Sequence, residues 1–105
     1  KPLPDCPVET TLQLIGDKWK ILIIRDLLDG TKRFNELKKS LTGITQKVLT
    51  SKLRDMEDSG LLTRKIYPEV PPKVEYSLTN LGSSLFPILE TLAIWGDEYK
   101  KSILY

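Results

Sequence analysis

The fold is decided by residues 43–62, GITQKVLTSKLRDMEDSGLL. At roughly 100° per residue, Val48, Leu49, Leu53 and Met56 fall within one arc, the stripe an amphipathic helix turns toward a core. Gly43 breaks the chain ahead of it, Thr45 is placed to cap it, and Gly60 is placed to close it in the left-handed conformation. The opposite arc holds Lys47, Thr50, Ser51 and Arg54, with no acid among them. Lys52 intrudes on the apolar side, where its stem is expected to cover the core edge while its ammonium reaches water. Short hydroxyls let a helix approach a groove floor, and long cations reach backbone phosphates or guanine edges. Gln46 can pair with adenine or donate to a phosphate, and the free amides of the first turn offer a further phosphate site. The acids Asp55, Glu57 and Asp58 gather at the far end, which fits an end-on approach to DNA. A solvated helix face that happens to lack acids has the same periodicity, so the surrounding elements must decide between the two readings.

Upstream, Pro7 suits the first turn of a short helix over 7–15 striped by Val8, Leu12 and Ile15. Gly16 ends it, and Asp17 caps a second helix to about residue 29 whose apolar face (Trp19, Leu22, Ile23, Leu27, Leu28, widened by Ile21 and Ile24) places it at the centre of the core. After Gly30, residues 31–34 read as a very short extended piece. A third helix follows, capped by Asn35 or starting a residue or two earlier, with Leu37 and Leu41 on its buried side. Downstream, Val74, Tyr76 and Leu78 alternate with Lys73, Glu75 and Ser77, a period of two. Paired with 62–67 they predict a hairpin whose tip is stiffened by Pro68, Pro71 and Pro72. Thr79 then caps a long last helix in which Leu81, Leu85, Ile88, Leu92, Trp95 and Tyr99 recur at threes and fours, Phe86 and Leu89 double the stripe's width, and Pro87 is expected to bend it. Helix, helix, short strand, helix, helix, hairpin, helix is the order of a winged helix-turn-helix, mainly α with a small β-hairpin.

The 105 residues make one domain, 1–105. There is one cysteine and no histidine, which excludes an internal disulfide, a histidine-assisted nucleophile and a zinc site. Asp5, Glu9 and Asp17 have no base or metal ligand at a convincing spacing, so the sequence predicts no enzyme, no cofactor and no metal. No secretory leader opens the sequence and no apolar run approaches the 18 or so residues of a membrane span, so a cytoplasmic location and no membrane partner are expected. The net charge of +2 conceals an uneven distribution. Residues 30–54 carry seven basic residues (Lys32, Arg33, Lys38, Lys39, Lys47, Lys52, Arg54) against Glu36 alone, whereas residues 66–105 carry three basic residues and five acids. The basic region suits phosphate. Arg64, Lys65 and Lys73 would extend it along the hairpin to a DNA backbone or minor groove. A winged helix that docks protein instead of DNA is the rival, and it calls for apolar residues where Thr50, Ser51 and Arg54 stand.

Residues 6–28 (CPVETTLQLIGDKWKILIIRDLL), 33–67 (RFNELKKSLTGITQKVLTSKLRDMEDSGLLTRKIY) and 71–82 (PPKVEYSLTNLG) strongly resemble the HxlR family of bacterial regulators, relatives of the MarR-type winged helices. The resemblance covers nearly the whole chain and implies a homodimeric transcription regulator. Helices within 6–29 and 80–102 would build the dimer interface, 33–59 would be the helix-turn-helix with its reading helix starting at Thr45, and 61–79 the wing. The DNA contacts expected from the residues are Thr45, Gln46, Lys47, Thr50, Ser51, Arg54, Lys38, Arg64, Lys65 and Lys73, and a dimer would place them on an inverted-repeat operator. The dimer residues are Val8, Leu12, Leu85, Leu89, Leu92, Trp95 and Tyr99; from the residues alone, Leu92, Trp95 and Tyr99 pack either within one chain or across two. Several members of the family use a cysteine at the position of Cys6 to sense electrophiles or oxidants, and a thiol at a helix N-terminus is favoured as the thiolate. The alternative is a small residue packed at the dimer seam. No residues define a small-molecule effector.

Overall fold

The computed structural model describes residues 2–104, which form six helical segments and a three-stranded antiparallel sheet in the order α1 (Pro7–Ile15), α2 (Lys18–Leu28), β1 (Lys32–Arg33), α3 (Phe34–Ser40), α4 (Gln46–Asp58), β2 (Leu62–Tyr67), β3 (Lys73–Leu78), α5 (Asn80–Ser83) and α6 (Phe86–Leu104). This is the winged helix-turn-helix expected from the pattern of elements. β3 lies in the middle of the sheet. It pairs with β2 in the register Leu62 to Leu78 through Tyr67 to Lys73, and with β1 at Lys32–Tyr76 and Arg33–Glu75. The short extended piece after Gly30 is thus a third strand that ties the start of α3 to the wing.

The caps and breaks have the chemistry the sequence implied. Asp17 accepts from the amides of Trp19 and Lys20 at 2.7 and 3.1 Å, and Thr45 accepts from Val48 N at 3.1 Å. Gly43 and Gly60 take φ values of 91° and 79°, where an L side chain is strained, so the turn before α4 and the stop after it both need glycine. α3 begins at Phe34. The Glu36 carboxylate reaches back to the Arg33 amide at 2.8 Å, one half of a capping box, and Asn35 lies inside the helix instead of capping it.

One core serves the first four helices and the sheet. Ile23, Ile24, Leu37, Leu41, Leu49, Leu53, Met56 and Leu62 are almost wholly enclosed, with Ile15, Leu27, Ile44, Leu61 and Tyr76 around them. Thr79 joins the end of α4 to the C-terminal helices. Its hydroxyl donates to Gly60 O at 2.7 Å, its amide donates to Leu61 O at 3.1 Å, and its oxygen accepts from Gly82 N at 3.0 Å. Gly82 packs so closely there that a Cβ would run into the Leu61 carbonyl oxygen.

The last helix departs from expectation. The chain turns at Ser84–Leu85 between α5 and α6, so Pro87 stands in the first turn of a new helix instead of bending a continuous one. A missing amide costs nothing in that turn. α6 then runs 19 residues without burying one of them. The Cα radius of gyration is 15.3 Å, against about 13 Å for a compact domain of this length; Leu89 near the start of α6 leans on the core and the rest of the helix extends past it.

Candidate nucleic-acid interface

α4 is oriented by its buried side. Leu49, Leu53 and Met56 are enclosed, so Gln46, Lys47, Ser51 and Arg54 are exposed and Thr50 is half-buried. These five, with Asp55 and Asp58, line one open depression along the outer side of the helix. The Thr45 hydroxyl oxygen takes up the Val48 amide, which leaves the Gln46 and Lys47 amides of the first turn of α4 without an intrahelical partner at the basic end. Lys38 and Lys39 lie exposed in the last turn of α3, next to the turn that leads into α4.

Ion pairing sorts the cations. Among the described residues, Lys38, Lys39, Lys47, Arg54 and Lys65 have no carboxylate within salt-bridge distance, whereas Lys20, Lys52, Arg64 and Lys73 do. Arg64 Nε lies 3.6 Å from Glu57 of α4. Lys73 Nζ is 3.9 Å from both Glu69 and Glu75, stands 4.2 Å over the Tyr67 ring and is only 24% exposed. Lys65 shares that ring at 4.9 Å but is exposed. Of the three wing cations, Lys65 is therefore the one without a salt bridge among the described residues, and Lys73 is the least available. Tyr67 is held in place by its hydroxyl donating to Glu75 at 2.9 Å.

Two sets of residues fell outside the sequence reading. Asp55 and Glu57 do more than crowd the far end of α4: they pair with Lys20 and Arg64. Lys52 does more than cover the core edge, because its ammonium meets the Asp17 carboxylate. The available signal was a cation on an otherwise apolar stripe.

The expected dimer residues divide into two groups. Leu85 and Leu89 are half-buried against the chain's own core. Val8 (66% exposed), Leu12 (59%), Leu92 (49%), Trp95 (66%) and Tyr99 (51%) are open, and Ile88 and Ile103 continue their stripe. Trp95 and Tyr99 stack at 5.4 Å, and Pro87, Ile88, Thr91, Leu92 and Trp95 line an apolar groove. Cys6 is exposed at the N-cap of α1, two residues before Val8. Lys20 of α2 is turned to Asp55. Among the described residues no group of three or more His, Cys, Asp or Glu could hold a metal, and no helix is long and apolar enough to cross a membrane.

A helix-turn-helix carrying a sheet as its wing defines a class of transcription regulators, and comparison with known proteins agrees. Residues 14–103 match the HxlR-like helix-turn-helix family, and the chain belongs to that family. It is 51% identical over 98 residues to the helix-turn-helix-type transcriptional regulator YdeP of Bacillus subtilis, covering 93% of this chain and 77% of that one. It is 53% identical over 94 residues to YkvN of the same organism, covering 90% and 80%. Among solved structures, the redox regulator HypR in its reduced form superposes with a TM-score of 0.86 at 46% identity, over 94% of this chain and 97% of that one. YodB from B. subtilis in its reduced form gives a TM-score of 0.78 at 36% identity, over 91% and 95%. The family and these neighbours are transcription regulators rather than enzymes.

Proposed function

We propose that this helix-turn-helix transcription regulator acts as a homodimer on an inverted-repeat operator in double-stranded DNA, with α4 as the reading helix and the β2–β3 wing on the flanking backbone. The observation that carries the reading is the outer side of α4. Its lining residues are cations, hydroxyls and an amide, with Asp55 and Asp58 toward the far end, and no apolar side chain stands among them as a protein-docking face would need. The dimer reading is supported by the open stripe on α6 together with Val8 and Leu12 of α1, apolar surface of the sort a C2 interface buries. Two-fold symmetry would set the two reading helices about 34–36 Å apart, one turn of DNA. Selection of bound duplexes from fragmented genomic DNA by the purified protein tests this. An enriched palindromic site is expected; retention of no duplex even at low salt would leave the protein-docking alternative.

Thiol modification is a second reading, favoured by the exposure of Cys6 on the helix that carries Val8 and Leu12. HypR is described as a redox regulator with oxidised and reduced forms, and YodB has been crystallised after diamide treatment. With no second cysteine in the chain, a disulfide must join two chains or a small thiol. Diamide should lower operator affinity of the wild type and leave Cys6→Ser unaffected; a fully modified wild type that binds normally would return Cys6 to a packing role.

A further inference from the structure

The Gly-Asp-Lys-Trp step at residues 16–19 has no part in the DNA surface, yet its aspartate reaches the helix that forms that surface. Asp17 uses its two oxygens differently. Oδ1 caps α2 by accepting from the Trp19 and Lys20 amides, and Oδ2 meets the ammonium of Lys52 on α4. One turn further along both helices the charges are exchanged, with Lys20 Nζ of α2 3.7 Å from Asp55 Oδ2 of α4. Asp17 and Lys20 stand three residues apart, as do Lys52 and Asp55, so each pair shares a helix face. The arrangement is a ladder of two rungs with opposite polarity. Three of its four side chains are shielded, Lys20 to 14%, Lys52 to 26% and Asp17 to 31% exposure, and Asp55 is open at 55%.

We propose that Asp17, Lys20, Lys52 and Asp55 are positioning residues that fix the rotation and axial register of α4 on α2, and through it the aim of the reading face; the DNA part of this rests on the function proposed above. A single ion pair allows a helix to pivot about it, whereas two rungs a turn apart define a line. The exchanged polarity adds a penalty for error. A slip of α4 by one turn brings Lys52 against Lys20 in one direction and Asp55 against Asp17 in the other, and like charges at close range repel. The apolar contacts beneath, made by Leu49, Leu53 and Met56, have no such directional preference. Asp17 also directly follows α1 and its Gly16 C-cap, so the ladder's first rung stands at the corner between α1 and α2.

Asp17→Asn tests the ladder cleanly, because asparagine caps a helix as well as aspartate but cannot pair with an ammonium as a charge. Lys52→Met keeps a stem of similar length, and Lys52→Arg keeps the charge. Two readouts separate positioning from bulk stability. The first is the ratio of operator to non-specific duplex affinity. Asp17→Asn and Lys52→Met should each lose several-fold in that ratio with an unchanged salt slope, and Lys52→Arg should restore it. A slope shallower by about one unit in Lys52→Met but not in Asp17→Asn would make Lys52 a direct phosphate contact and overturn the proposal. The second readout needs no DNA: residual dipolar couplings of the α2 and α4 amides report the angle between the helices. A changed or more mobile α4 axis in both variants is expected, and couplings identical to the wild type's would overturn the ladder. If the wild type binds no duplex, the function reading fails while the couplings still decide the ladder.

Discussion

Arg64 on β2 holds its Nε 3.6 Å from the Glu57 carboxylate on α4, so the strand that enters the wing is joined to the end of the helix-turn-helix farthest from its basic tip. Lys65, the next residue, projects from the opposite strand face toward the Tyr67 ring and has no carboxylate within salt-bridge distance among the described residues. The two neighbours thus have different tasks. Lys65→Ala should lower DNA affinity on all sequences alike and make its salt dependence shallower by about one unit. Lys73→Ala should leave the slope at the wild-type value, because that ammonium is already shared by Glu69, Glu75 and Tyr67. Titrations of DNA affinity against salt for both variants decide the matter, and equal slopes for Lys65→Ala and wild type would take the wing off the backbone.

Arg54→Ala should weaken operator binding while the thermal melt stays within about 0.5 kcal/mol of wild type, as for an exposed side chain outside the core. A guanine contact would cost about 1–3 kcal/mol at one operator base and relax preference there. A phosphate contact would lower affinity for every duplex equally. Competition with single-base operator variants distinguishes the two.

Leu92→Asp should give a folded monomer. The residue lies at the centre of the open α6 stripe and contributes nothing to the enclosed core, so a carboxylate there costs little until two copies meet. Sedimentation should show twice the 12.0 kDa chain mass for wild type and the single mass for the variant. Wild type sedimenting as a monomer at micromolar concentration would remove the dimer reading.

The Asp17 carboxyl gives a pH signature. Partial burial pushes its pKa up, but the Lys52 ammonium and the Lys20 and Trp19 amides pull it down further, and the balance lies below the ordinary carboxylate value. A group depressed in the folded state stabilises above its unfolded pKa and loses that contribution as pH falls through the folded one. The melting-temperature difference between wild type and Asp17→Asn should therefore be steady near neutral pH and shrink below about pH 4. Thermal melts from neutral pH into the acid range check the sign, and a difference that grows on acidification would contradict it.

Local chemistry made most of the architecture readable. Thr45 with Gly43 and Gly60 bounded α4, and the alternation of Val74, Tyr76 and Leu78 announced a strand. The break at Ser84–Leu85 was obscured because Leu81, Leu85 and Ile88 keep a helical spacing straight through it; Pro87 marked a first turn but was equally compatible with a bend. The outer face of α4 followed from its period. What supports that face did not, since Asp17 with Lys52 and Glu57 with Arg64 meet only through the tertiary fold. Charge alone also could not rank Lys65 above Lys73: the register sets Glu75 opposite Lys65, yet the Glu75 carboxylate comes within reach of Lys73, two residues away on its own strand.

α6 has none of its 19 residues enclosed within its own chain. Past Leu89, which leans on the core, substitutions along it escape the veto that packing imposes on α2 or α4, and an altered stripe leaves Thr45 to Arg54 untouched. On the proposed function, pairing preference and address on the genome would then drift separately. Bacillus subtilis alone holds several regulators about half identical to this chain. Under the proposed dimer, the open part of α6 is where siblings that share one cell could keep each copy matched with its own kind.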